Sequence, residues 1–120
     1  MKLIDYWKDK FIGKNENSPA FRRRLAAQLD KKQLKYVSER IGDDDFVIGH
    51  AGYITLNHDG DELLVISNDN GTLFRAKIDT LKMNEFLSLD GIIFTGEDLE
   101  HDGKERCVIA YYTYYRKVEK

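Results

Sequence analysis

The sequence predicts an α+β fold: two or three N-terminal helices followed by an antiparallel meander of six or seven strands. Three observations carry this. Apolar residues recur at helical spacing up to Ile41 and alternate at strand spacing beyond it. Turn signals then punctuate the chain at short intervals, as consecutive hairpins require. Charge divides at the same place. Residues 1–41 hold 11 Lys+Arg and 5 Asp+Glu, whereas residues 42–120 hold 8 and 16, so a +6 segment precedes a −8 segment.

The elements follow in order. Leu3, Trp7 and Phe11 fall at i, i+4, i+8, with Ile4 and Ile12 beside them and Gly13 placed as a cap. This predicts an amphipathic helix over 2–12. Ser18-Pro19 supplies a hydroxyl cap and then a proline at the first helical position. Phe21, Leu25 and Leu29 make the stripe of a helix over 19–29. Leu34, Val37 and Ile41 make a second stripe, about 140° around from Leu29 on a continuous helix. Asp30 and Gln33 have the spacing of a capping box, so a separate helix over 31–41 is expected, closed by Gly42.

Asp43-Asp44-Asp45 marks the border between a basic helical part (1–42) and an acidic β part (43–120) of one 120-residue domain. Strands are predicted at 46–49, 53–57, 62–67, 72–78, 84–89, 92–95 and 106–115. The last is read as the longest. Asn70-Gly71 and Asp90-Gly91 are hairpin signals. A sheet of this many strands is expected to curl strongly or close partly into a barrel, which limits exposed edges. That architecture resembles the pleckstrin-homology-like barrel by analogy alone, without the C-terminal helix such barrels carry after the last strand.

Composition narrows the function. With 42% apolar and 33% charged residues the chain reads as a soluble globular protein. No apolar stretch approaches the roughly 20 residues of a membrane-spanning helix. Charges within the first ten residues exclude a signal-peptide core. Cys107 is the only cysteine, so no internal disulfide forms and a cytoplasmic location is the expectation. Cys107 lies in a predicted strand with no helix N-terminus to activate it. His50, His58, His101 and Cys107 lack zinc-ligand spacing, and 57–62 lacks the order of a calcium loop. No phosphate loop, dinucleotide fingerprint or nucleophile elbow occurs. Neither a metal nor a cofactor is expected, and no catalytic residue is assigned.

A non-catalytic protein-interaction or adaptor domain is therefore the leading expectation, with another protein as partner. Tyr and Arg dominate interfaces, which directs attention to Tyr112, Tyr114 and Tyr115 in the Tyr-rich final strand and to Arg116 just after it. The alternative is nucleic-acid contact through Arg22, Arg23, Arg24, Lys31, Lys32 and Lys35, against the simpler reading that these cations pair with the acidic half. A second alternative places a small ligand, or a reaction using His50 or His101, in the barrel mouth.

Overall fold

Ser18 opens the first described helix as its hydroxyl suggests: Oγ accepts the Phe21 N–H at 3.2 Å, and Pro19 takes the first helical position. The computed structural model describes residues 18–114 and Arg116. The helix predicted over 2–12 and the site candidate Tyr115 lie outside the described residues. Helix α1 spans Pro19–Leu29 and buries Leu25, Ala26 and Leu29.

The helix expected over 31–41 is instead a strand. The chain leaves α1 through Lys31, whose φ of +70° lies in the left-handed region and ends any helical path. The Asp30 carboxylate accepts the Leu56 N–H at 3.2 Å, so it serves a strand rather than capping a second helix. Lys31 N–H to Ile54 C=O and Ile54 N–H to Lys32 C=O then draw the chain alongside that strand. Strand β1 (Gln33–Ile41) contains Tyr36 and Val37, which favour strands. Its helix-like spacing has a physical origin. A bulge between Leu34 and Tyr36, against the last strand, turns Leu34 and Val37 to the same side, and both enter the core. Two apolar residues three apart thus imitate a helical stripe.

Gly42 likewise does not cap a helix. With φ +63° it opens a two-residue hairpin turn with Asp43, between Ile41 and Asp44. Strand β2 (Asp44–Asn57) runs without a break through the two segments expected as separate strands, and it is the longest. Strands β3 (Glu62–Ser67) and β4 (Gly71–Lys77) follow. The loop between them has three residues closed by Gly71 at φ +70°, not the two-residue turn expected from Asn70-Gly71.

A short 3-10 turn (Ile78–Thr80) leads to β5 (Lys82–Glu85), β6 (Gly91–Asp98) and β7 (Lys104–Tyr112). β5 is shorter than expected because Phe86–Asp90 form a turn, fastened by Phe86 N–H to Gly91 C=O and Leu89 N–H to Phe86 C=O. Gly91 makes room for it: a Cβ there would lie 2.6 Å from the Phe86 ring.

The strands form one antiparallel sheet in the order β4-β3-β2-β1-β7-β6-β5. Two meanders, β1–β4 and β5–β7, are joined through the β1–β7 ladder. The sheet is open, not a closed barrel. It curls enough to bring Phe74 of β4 against Phe94 of β6, with ring centroids 6.3 Å apart. Inside the curl, α1 meets Leu34, Val37, Ile54, Ile78, Ala110 and Tyr112 in one core. The structure is thus α+β with one described helix.

Side chains hold the curl where no ladder does. On the edge of β4, the Arg75 N–H donates to Asp98 Oδ1 at 3.1 Å, and the Leu73 C=O accepts from Arg106 Nη1 at 2.9 Å. These are backbone groups that a further strand would otherwise engage. Arg106 is 9% exposed and forks onto Glu39 with two bonds of 2.8 Å, while its Nη1 reaches Asp98 Oδ2 at 2.6 Å. The fully buried Asp98 also accepts the Glu100 N–H at 2.9 Å and pairs with His101 Nδ1 at 2.6 Å. Arg75 adds bonds to Glu100 at 2.7 Å and Glu62 at 3.1 Å. Burial pushes the Asp98 carboxyl up, but the Arg106 bond, the two backbone N–H groups and His101 outweigh it and hold it below its ordinary value. The Arg106 bond lowers Glu39 too.

Candidate functional site

The β1–β2 hairpin combines open backbone with exposed apolar side chains. Its turn, Gly42-Asp43, carries Ile41 on one side and Phe46 and Val47 on the other. These three are 59%, 51% and 52% exposed. Asp44 is exposed beside them, and Asp45 is held by Arg40 through bonds of 2.8 and 3.2 Å. Residues 44–47 pair with β1, whereas the ladder to β3 begins only at Gly52↔Ser67. The start of β2 therefore overhangs the sheet.

The β3–β4 turn closes the next stretch of that edge. Asn70 Nδ2 donates to the Ile48 C=O at 3.0 Å, the His50 N–H donates to Asp69 Oδ1 at 3.1 Å, and the Asn68 N–H donates to the Ala51 C=O at 2.7 Å. His50 Nδ1 also lies 3.1 Å from Asp69 Oδ2. The His50 N–H and ring, with Ser67, bring the Asp69 carboxyl down to about 2, so it stays ionised beside the overhang. A β-bulge at Val37/Ser38 marks the limit between the overhanging and the paired part of β2. The same end of the sheet carries exposed Glu97 and Glu105, which face each other across β6 and β7.

The residues expected to bind a partner are placed differently. Tyr112 is 1% exposed, and its hydroxyl donates to Glu85 Oε2 at 2.8 Å. Burial, and then the Glu85 charge, push its pKa upward. Arg116 closes the same cluster, with bonds of 2.8 and 2.6 Å to Glu85 and 2.5 Å to Gln28. Both side chains are spent inside the fold. Tyr114 is exposed, but it stands apart from the hairpin. Tyr111 stacks on Tyr36 with centroids 4.4 Å apart and so presents no free ring pair.

The six cations of the alternative site separate as well. Arg22 donates to the Asp79 C=O at 2.6 Å, and Arg23 bonds Asp79 and Asp61. Lys32 lies 5.2 Å over the Tyr112 ring and Lys35 6.0 Å over Tyr36. Arg24, Lys31 and Lys35 remain exposed. Cys107 is half-buried beside Thr95, whose hydroxyl lies 3.8 Å from Sγ. His101 is tied to Asp98 as described. Among the described residues no three His, Cys, Asp or Glu side chains converge to hold a metal, and no helix is long and apolar enough to cross a membrane.

Ile41, Phe46 and Val47 escape a reading of the sequence because apolar spacing places Ile41 in a helix and Phe46-Val47 in a separate short strand. A signal is nevertheless present: an aspartate run bracketed on both sides by apolar residues, Ile41-Gly42-Asp43-Asp44-Asp45-Phe46-Val47, is a hairpin tip with nothing polar to shield its flanks. No family model, curated protein or solved structure matches the chain.

Proposed function

We propose that the chain is a non-catalytic protein-interaction domain whose partner docks on the β1–β2 hairpin. The observation that supports this is the exposure of Ile41, Phe46 and Val47 together at the rim of the sheet, next to Asp43, Asp44 and Asp45. Scattered exposed apolar residues are ordinary, but here Ile41 and Phe46 on one face and Val47 on the other gather at one hairpin tip beside a charged border, which gives a partner apolar contacts around an edge. The border is acidic, so the fitting partner carries Lys or Arg around an apolar centre.

A photo-crosslinking residue at position 46, compared with one at Leu87 in the β5–β6 turn, tests the reading in the producing cell. Leu87 is equally exposed, at 55%, but lies away from the hairpin. The expected result is an adduct specific to position 46 that disappears when Asp43 and Asp44 are changed to Lys. Identical adducts from both positions would refute the proposal.

A further inference from the structure

We infer that the partner enters this site as an added β-strand, an extended cationic segment that pairs with residues 44–47 of β2. The inference rests on the interaction reading above and specifies its mode. In an antiparallel hairpin, opposed residues alternate between pairs that bond to each other and pairs whose N–H and C=O groups point outward. Counting from the bonded pair Ile41↔Asp44 that closes the two-residue turn, Glu39↔Phe46 bonds inward and Ser38↔Val47 faces outward. Among the described residues nothing takes the outward N–H and C=O of Val47.

The other edges are managed. On β4, Asp98 and Arg106 occupy the Arg75 N–H and Leu73 C=O. On β2 beyond residue 47, the side chains of Asn70 and Asp69 and the backbone of Asn68 close the edge from 48 to 51. β5 has only four residues and begins with Lys82, which fits a short, charged edge. Among the described residues, no side chain plugs the Val47 N–H and C=O, and no lysine lies in 44–47. Phe46 and Val47 project to opposite faces, as successive strand residues do, and both are exposed. An added strand would bury one apolar contact on each face while its backbone completes the ladder.

Charge selects the occupant. Asp43, Asp44, Asp45 and Asp69 flank the overhang, with Arg40 bonding Asp45. A second copy laid antiparallel would set its own aspartate run against Asp69, and like charges across a sheet are unfavourable. A segment alternating Lys or Arg with apolar residues meets both requirements.

The test is selection from a random 12-residue peptide display library against the full chain, followed by affinity measurement on three proteins. These are the unaltered chain, Val47→Pro and Phe46→Asp. Proline at an outward-facing edge position removes the outward N–H and keeps the β1 pairing. Retention of fold is checked by circular dichroism. The expected peptides alternate basic and apolar residues, lose at least tenfold affinity on Val47→Pro, and slow hydrogen exchange of the Val47 amide in the unaltered chain. The exchange readout stands even if the proline variant fails to fold. Peptides that bind Val47→Pro undiminished and leave that amide unprotected, yet lose affinity on Phe46→Asp, overturn strand addition and leave the docking site standing. Peptides indifferent to both variants, or no hairpin-dependent peptide at all, overturn both.

Discussion

Replacing Arg106 with Met tests whether ion pairs, in place of a ladder, hold the curl of the sheet. The guanidinium is nearly buried and engages Glu39 through two bonds, Asp98 through one and the Leu73 C=O through another. Met keeps much of the aliphatic volume and removes all four. Asp98, fully buried, retains the N–H groups of Arg75 and Glu100 and the His101 ring, but it loses its cation. Breaking a buried pair from one side typically costs about 3–5 kcal/mol, because the remaining charge stays desolvated. At 120 residues that corresponds to a fall in Tm of about 10–25 °C.

Urea unfolding followed by far-ultraviolet circular dichroism measures this loss as a shift in midpoint at unchanged slope. Combining Arg106→Met with Asp98→Asn and Glu39→Gln removes the stranded charges as well. In Asp98→Asn the amide oxygen would still accept the two backbone N–H groups, so the triple variant is expected to recover more than half of the loss. A loss below about 1 kcal/mol in Arg106→Met, which is the size of a surface pair, would refute the clamp. So would a triple variant as unstable as the sum of its parts, since residues in one network do not act additively.

Three further outcomes follow from the same geometry. Asp98 and Glu39 are held below their unfolded values of 3.8 and 4.5, so their contribution is complete above those values and is lost as pH falls through the lower folded ones. The urea midpoint should hold down to about pH 5 and decline below about pH 4, with a shallower decline in Arg106→Met. Tyr112→Phe removes a hydrogen bond to an ionised carboxylate and is expected to cost about 1.5–3 kcal/mol by urea titration. Gly52→Ala would place a Cβ 1.9 Å from the Ile66 carbonyl oxygen and is expected to destabilise by at least about 1–3 kcal/mol, whereas Gly49→Ala meets side-chain atoms at 2.7 Å and costs less.

Local signals are legible wherever one short stretch decides its own structure. Ser18-Pro19 begins α1 and Leu29 ends it, as the cap and stripe require. The run Leu63-Leu64-Val65-Ile66 lies in β3, which has the predicted limits. The segment 31–41 misleads because its apolar spacing reflects a bulge, and the bulge exists only in register with β7, some 70 residues later. Asp30 misleads for the same kind of reason: its partner is the Leu56 N–H, supplied by a strand that the sequence does not place. Tyr112 and Arg116 have the residue types of an interface, but their burial depends on Glu85 lying across the sheet edge. The overhang of residues 44–47 beyond β3 depends on where the β3 ladder starts, which pairing determines and composition does not.

The split in charge along the chain acquires a meaning once the pairs are drawn. Arg22 and Arg23 of the basic segment are drawn onto Asp79 and Asp61, so part of the contrast is internal to the fold. The nucleic-acid alternative then retains four of its six cations, and the salt slope of any single-strand binding should be no steeper than about −3. Arg75 and Arg106 likewise neutralise acids within the clamp. The hairpin end differs, because Asp44, Asp69, Glu97 and Glu105 lie there on the surface. Such a field acts at long range and accelerates the encounter with a cationic partner, and salt screens it. Strand pairing and the contacts of Phe46 and Val47 act only after contact, so they govern dissociation. Rising ionic strength should therefore slow association far more than it hastens release, while Val47→Pro should do the reverse.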